Sequence, residues 1–456
     1  MLRKLPSLFY HLLDLAPKKL LAQSTALFQQ PLPADREAWR AYWDILNQPW
    51  RTEPEIDKER QEKLALYCSI IPDPKKGIYS FKRVKLNRAD IEWLLATHEN
   101  GCGPVDWSDK SQRDRKGIDL RGADLRGIDL QRLPLARTLA GYDRTEWLQA
   151  TLEQGVSVLF EMDGAINVHL EKANLSFTHL EGAILALAHL EGANLYEAHL
   201  EGADLHRTHL EGTYLYKTHL GGTSLRNAFF DNNTVFQYVL FKDEWFGSVL
   251  LADTHWGGMN LSLVNWRQIE ILGDECEARR PKRLDGKTKD RDSWIRDYRR
   301  AVRGYRQLAT ILLEQGLNED AARFSYRAQL LQRRVRWFQM FQRGIKLGQR
   351  IQILRGWLFS WFLFLLAGYG YRLGRSFLAY LLVISFFMAL YRFIDPHLVW
   401  SEAFVVSMTA FHGRGFSPSS FSPGDPLSIV SAIEAFVGLI IEVTFIATLT
   451  QRFFNR

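Results

Sequence analysis

Six histidines stand ten residues apart, His169, His179, His189, His199, His209 and His219, and Glu171, Glu181, Glu191, Glu201 and Glu211 each follow one of them by two places. Imidazoles change charge near neutral pH and, when neutral, ligate metals, so this row reads in one of two ways. It is either a metal-binding or proton-sensing strip, or a polar outer position copied along a repeat, with His and Glu pairing across neighbouring columns. The second reading is preferred, because no ligand spacing converges on a point and no metal site is expected. A different chemistry sits near the end of the chain, where Thr409, Phe411, His412, Gly413, Arg414 and Gly415 form a Gly-x-Gly turn between long apolar stretches. Glycines there let carbonyls line a narrow path and replace an ion's hydration shell. Glu434 and Glu442 follow eight residues apart with Gly438 midway, close to one helical face, and a carboxylate in an apolar stretch is a functional candidate. Glu442 is expected to line an inner ion path; Glu434 either pairs with Arg414 or hydrogen-bonds a neighbour. Gly438 is a hinge or a close-packing site. With no nucleophile motif and no phosphate-cradling loop, no catalytic residue and no cofactor are expected, and the chain does not read as an enzyme.

The histidines ride on a shorter period. Between Gly164 and Phe230 a central Leu recurs every five residues, from Leu170 to Leu225, with a small residue two places before it, as in Ala173-Asn174-Leu175, Ala193-Asn194-Leu195 and Ala203-Asp204-Leu205. Five matches neither the helical nor the strand period, so the chain must turn once per unit to keep each Leu inside. A polygonal coil with a narrow, dry core follows. Gly117-Ile118-Asp119-Leu120, Ala123-Asp124-Leu125 and Ile128-Asp129-Leu130 open the array, and an insertion at about 137–163, with Asp143 and Glu146 as a helical capping box before Trp147 and Leu148, interrupts it. A shifted set, Phe246, Leu251, Trp256, Leu261 and Trp266, reads as a bulkier last coil. These units resemble the pentapeptide-repeat family over residues 117–136 and 164–235. That resemblance implies a right-handed, four-sided β-helix with four units per coil, in which His169, His189 and His209 stack on one face and His179, His199 and His219 on the opposite one.

The expected organisation is multidomain. Residues 1–115 form a mixed, mainly helical region, in which the first residues make an amphipathic helix, Arg36 to Leu46 a Trp-rich one, and Asn87 caps another. Residues 116–270 hold the β-helix, 275–355 a basic helical hairpin, and 356–456 an α-helical transmembrane pore domain. Cys68, Cys102 and Cys276 form no disulfide framework. The net charge of +7 is unevenly placed: Arg279 to Arg355 holds 21 Lys and Arg against 7 Asp and Glu. Lying just before the apolar stretches, this collar fits anionic lipids at a cytoplasmic membrane face better than nucleic acid. Ser293 to Gln315 and Glu319 to Trp337 read as two helices joined at Gly316, resembling a single tetratricopeptide-type unit, with Tyr305, Leu308, Leu312, Ala321, Ala322, Phe324 and Tyr326 as the seam.

Ser376 to Ile394 and Leu427 to Leu449 can each span a bilayer, while Trp357 to Ala367 alone is too short and is expected to lie in the interface, unless residues 368–370 extend it into a third span. Flanking positive charges place both ends in the cytoplasm. Between the two spans, Trp400 to Phe411 has half the length of a crossing and leads into the Gly-x-Gly turn. Span, re-entrant helix, turn and span over 376–453 resemble the two-transmembrane pore module of the potassium-channel superfamily, with Ser407, Thr409, Gly413 and Gly415 at matching places. The resemblance implies a homotetrameric inner-membrane channel with permeant ions as its cargo and an unidentified cytoplasmic ligand or protein acting on the repeats. The chain departs from the family's Thr-Val-Gly-Tyr-Gly-Asp filter, since Arg414 stands between the two glycines; a ring of Arg414 opposes cations. Two other classes are expected as rivals: a membrane-anchored scaffold that does not conduct, and a DNA-mimicking topoisomerase binder. The latter wants a strongly acidic rod, whereas Gly164 to Phe230 holds 7 acidic against 4 basic residues.

Overall fold

Leucine at every fifth position forces the chain of the first half to turn at every fifth position, and the backbone does so. The computed structural model describes residues 30–32, 35–73, 76, 78–142, 146, 167–283, 286–342, 344–413 and 425–453 of the chain. It divides into two units, Met1–Gly273 and Asp274–Arg456. In the first, each corner holds one residue at positive φ, from Lys172 (+59°), Phe177 (+57°) and Gly182 (+62°) to Gly222 (+67°) and Asn227 (+55°). Successive coils pair in parallel 20 residues apart, four times per coil: His169 with His189, Asn174 with Asn194, His179 with His199, Ile184 with Asp204. These are isolated one-residue bridges. The strands proper, among the described residues, are the two-residue pair β1 (Lys242–Asp243) and β2 (Gly247–Ser248), so little of the expected β-sheet is present.

The core is as dry as the pattern implies, since no central Leu from Leu170 to Leu225 is more than 4% exposed. The inner Thr residues do more than fill space. Thr208, Thr218 and Thr223 donate their hydroxyls to the carbonyls of Leu185, Leu195 and Leu200 in the preceding coil at 2.6–2.7 Å, so a buried polar group is satisfied and the coils gain a side-chain tie.

Two expectations are corrected here. The insertion begins later than 137: Leu139 bridges Asp119 and Ile184, and Tyr142 is buried, so the chain stays in the coil until the residues before 143. Asp143, Trp147 and Leu148 lie outside the described residues, as does the N-terminal helix; Glu146 bonds Arg121 at 3.0 Å. Phe246 is not an inner residue of the last coil. The coil lengthens from 20 to 26 residues between the Asp204–Ser224 and Ser224–Leu250 pairs, the β1–β2 hairpin takes up the excess, and Phe236 and Phe241 fill the core. Phe246 instead stacks on Trp107 at 5.6 Å outside the coil.

At its other end the coil is covered by N-terminal residues. Asp124 N donates to Val84 O at 2.9 Å and Arg83 N to Gly122 O at 2.8 Å, so the segment before Asn87 continues the stack. Helix α1 (Arg36–Ile45) buries Trp39 and Trp43; α2 is Lys58–Cys68 and α3 is Arg88–Gly101, capped by Asn87 and leaving helical angles at His98. Arg88 fastens α3 to the repeat by donating to Asp129 O (3.1 Å) and Gln131 O (3.2 Å) while pairing with buried Glu92 at 2.8 Å.

The second unit is helical: α4 (Gly273–Arg279), α5 (Arg291–Glu314), α6 (Asn318–Met340), α7 (Leu347–Ala367), α8 (Leu373–Ile394), α9 (Trp400–Phe411) and α10 (Pro426–Phe453). α5 and α6 form the hairpin, turning at Gly316 with φ +77°. Ala321, Phe324, Ala328, Leu331 and Val335 make the α6 seam at three- and four-residue steps, while Ala322 and Tyr326 are only half-buried. The apolar run at 357–367 is not a separate short helix. It belongs to α7, and Leu347–Gly370, Gly374–Ile394 and Pro426–Thr450 are all long and apolar enough to cross a membrane.

A glycine contrast tests the packing at the corners. Gly212 and Gly222 share φ +67°, but a Cβ at Gly222 would meet Phe246 Cβ at 2.2 Å, whereas at Gly212 the nearest atom is 3.7 Å away. Gly212→Ala is expected to lose about 1 kcal/mol of stability from left-handed strain alone, and Gly222→Ala distinctly more. Thermal unfolding monitored by circular dichroism should rank native above Gly212→Ala above Gly222→Ala.

Candidate functional site

At 1.5 Å per residue the 12-residue α9 is about 18 Å long, roughly half the depth of a bilayer's hydrocarbon core, and it is wedged between two helices of crossing length. Glu402 caps its start by accepting from Val399 N at 3.1 Å. Ala403, Val406, Ser407, Ala410 and Phe411 are buried on one face, which seats against α8 and α10 around Phe387, Tyr391, Ile384 and Ile441.

One carboxylate holds these three helices together. Glu434 on α10 has no exposed surface; Tyr391 Oη on α8 donates to its Oε2 at 2.7 Å, and Ser407 Oγ on α9 lies 2.5 Å from its Oε1. Each oxygen thus has a donor, the condition under which an acidic group is tolerated in an apolar interior. Eight residues on, Glu442 Oε1 meets His412 Nδ1, whose Nε2 lies 3.3 Å from Tyr380 Oη on α8. A second tie among the three helices therefore stands at the end of α9, relayed through His412. Between the two ties, a Cβ at Gly438 would stand 2.1 Å from Phe411 O, so the glycine lets α10 touch the last carbonyl of α9.

Of the residues singled out from the sequence, the structure brings Phe411, His412 and Gly413 (φ +66°) together with Gly438 and Glu442, and places Glu434 deeper, beside Ser407. Thr409 spends its hydroxyl on Val405 O, 2.8 Å away within α9. Arg414, Gly415 and Phe416 lie outside the described residues. Tyr391 and Tyr380 escaped the sequence reading; their signal is a phenol inside an apolar span, whose hydroxyl needs a partner when buried.

The histidine ladders form as the ten-residue rhythm implies. Rings of His169, His189 and His209 stack 5.0 Å apart at 6°, and His179 stacks on His199 at 4.9 Å and 6°. Each His bonds through Nδ1 to the Glu two places on, at 2.9 Å for His169, His179 and His189 and 3.2–3.3 Å for His209 and His199. His219 has Gly221 in that place and turns to Glu201, 3.1 Å away. The Glu181 hydrogen bond raises the pKa of His179, and Glu201 raises that of His219. Burial alone would push the Glu201 carboxyl up, but hydrogen bonds from His199 and His219 bring it down to about 2. Contrary to the expectation from spacing, three His/Glu groups do converge: His199–Glu201–His219, Glu171–His189–Glu191 and Glu191–His209–Glu211, each with ligand atoms within 4.8 Å of one another.

One unit built of stacked five-residue turns and another built of apolar helices define the class of architecture at hand. Residues 173–212 and 193–232 match the family model described as pentapeptide repeats (8 copies), so this stretch carries pentapeptide repeats. Among solved structures, the chain is similar to a pentapeptide repeat protein from the Arabidopsis thaliana thylakoid lumen, at 19% identity over 28% of this chain and 81% of that one, with a TM-score of 0.17. It is also similar to the pentapeptide repeat protein Rfr23 from the cyanobacterium Cyanothece 51142, at 25% identity over 29% and 87% with a TM-score of 0.13. The plasmid-mediated fluoroquinolone resistance protein QnrB1 matches at 13% identity over 33% and 76%, again with a TM-score of 0.13. No curated protein matches the chain.

Removing Glu434 strands the buried Tyr391 hydroxyl and leaves Ser407 Oγ only Ile384 O, 3.1 Å away, while Gln keeps one acceptor and the shape. Glu434→Ala is therefore expected to cost roughly 2–4 kcal/mol and Glu434→Gln clearly less. Unfolding temperature in detergent should fall in that order, and equal losses would mean that charge rather than bonding matters.

Proposed function

We propose that this protein is an oligomeric ion channel of a cell membrane, a homotetramer, whose pentapeptide-repeat domain binds a ligand or partner and biases the gate. The observation that carries this reading is α9: a helix of half-membrane length, tied to its two flanking helices at Ser407 through Glu434 and just past its end at His412 through Glu442 and Tyr380, and delivering a left-handed Gly413 directly after its last turn. A simple anchor has no use for a half-crossing helix that costs two intramembrane carboxylates to hold. Thr409, the Gly413-x-Gly415 turn and Arg414 would face the ion path, with His412 held behind it by Glu442 and Tyr380.

In this reading the repeat coils are the right-handed, four-sided β-helix that their pattern implies, supported by four parallel bridges in each 20-residue turn. α7 lies along the interface rather than across the bilayer. α6 accompanies it along its length: Arg336 donates to Gly356 O at 2.8 Å, Arg333 sits 4.0 Å from the Trp361 ring, and Tyr326 meets Tyr369. A crossing by α7 would carry these guanidiniums into hydrocarbon at about 2.5–3.5 kcal/mol each, whereas at the interface they meet anionic headgroups. Two crossings then remain, α8 and α10, with both chain ends in the cytoplasm.

Purified full-length protein in planar bilayers should conduct, and Arg414→Ala should shift the reversal potential under a salt gradient toward cation preference. Protein that inserts and stays silent would favour the scaffold reading, and an unchanged reversal potential would remove Arg414 from the ion path.

A further inference from the structure

The ladders follow one rule until their last step, and the exception is informative. His179 and His199 stack face to face, 6° from parallel, but His199 and His219 close to 4.4 Å and tilt by 42°. The cause is local. Gly221 leaves His219 without a carboxylate of its own, and the next bridge partner, Leu240, offers no ring to stack on. Both imidazoles therefore turn Nδ1 toward the same oxygen, Glu201 Oε1, at 3.3 Å from His199 and 3.1 Å from His219. Glu201 Oε2 is buried and has no hydrogen-bond partner. The side chains of His199, His219 and Glu201 are 35%, 32% and 14% exposed, open enough to admit an ion.

We propose that His199, Glu201 and His219 form a binding site for a divalent transition-metal ion of the Zn2+, Co2+ or Ni2+ type. The ion would be held by the two Nδ1 atoms and the Glu201 carboxylate, with water completing a tetrahedron. The dimensions suit it: bonds of about 2.0–2.2 Å to nitrogen and oxygen set ligand-to-ligand edges of about 3.3 Å, close to the two nitrogen–oxygen separations already present. Two imidazoles and one carboxylate select a borderline ion over Ca2+ or Mg2+, which prefer all-oxygen shells. Ligation through Nδ1 leaves each neutral ring with its proton on Nε2, so no proton balance is broken. The other two convergent groups offer one imidazole and two carboxylates, share Glu191, and keep their rings parallel, so they suit such an ion less well. This inference rests on the coil alone and stands whether or not the membrane end conducts.

Full-length protein in detergent, stripped with a chelator, would be titrated with Zn2+ by calorimetry and with Co2+ by visible absorption. Native protein should bind one ion at this site, show the ligand-field bands of tetrahedral Co2+ and unfold at higher temperature with metal. His219→Phe is the discriminating variant, because Phe229 already occupies the equivalent step of the other ladder, stacked 4.8 Å from His209. It should keep the metal-free unfolding temperature and lose at least tenfold in affinity together with the Co2+ bands; Glu201→Gln should lose affinity likewise. His179→Ala, outside all three convergent groups, should bind as native does. Unchanged binding in His219→Phe, or equal losses in His179→Ala, would overturn the assignment.

Discussion

Every feature of the repeat unit depends on the closure of each coil in a fixed number of residues, so that leucine falls on leucine and bridge on bridge. With single-residue bridges the backbone pairing per coil is sparse, and register is held by the buried Leu column and by Thr hydroxyls reaching the carbonyls of the preceding coil. Identical register makes outer positions repeat as well, which is why His stacks on His. Where closure changes, from 20 residues to 21 at Tyr214–Val235 and to 26 at Ser224–Leu250, the ladder of His179, His199 and His219 ends at Leu240 while the other continues as Phe229 on His255, a hairpin bulges out and aromatics replace leucine in the core. The irregular end thus produces both the cap and the tilted pair of His199 and His219.

The second unit obeys a different constraint, that of placing polar groups in an apolar setting. Buried Glu434 on α10 is answered by Tyr391 of α8 and Ser407 of α9, and half-buried Glu442 by His412 of the turn after α9, which Tyr380 of α8 meets in turn, so that both carboxylates lock the position of α9. Buried Glu275 plays a comparable part near the hairpin, accepting from Tyr305 Oη at 2.8 Å and paired with Arg279. α6 passes from this hairpin onto α7, so a displacement of α6 is felt at α7 through Arg336 and the Trp337–Trp357 contact. That is a mechanical connection inside this unit.

Legibility in the sequence followed the strength of the local signal. The five-residue leucine period, the Gly316 turn and the half-length helix at 400–411 each state their geometry in consecutive residues, and each is present. The insertion start was misplaced because Arg137-Thr138-Leu139-Ala140 lacks the usual spacing of small residue and leucine while still pairing in the coil. Phe246 was misassigned because it keeps the five-residue count from Leu251 even though the chain between Phe241 and Leu250 has left the coil. The partners of Glu434 could not be read, since Tyr391 and Ser407 are 43 and 27 residues away and only packing brings them to it. The convergence at Glu201 was hidden for the same reason: it depends on a missing carboxylate at 221 and on the loss of the stack beyond His219.

The central claim is that several copies of α9 surround one axis and aim the Gly413-x-Gly415 turn at it. Electron cryomicroscopy of the full-length protein in lipid nanodiscs tests this most directly. The account predicts a four-fold assembly, with α10 innermost, α9 half-way into the bilayer and the turn bordering a continuous central path. Density showing a monomer, or an assembly in which α9 faces lipid and the turn lies away from the axis, would contradict it.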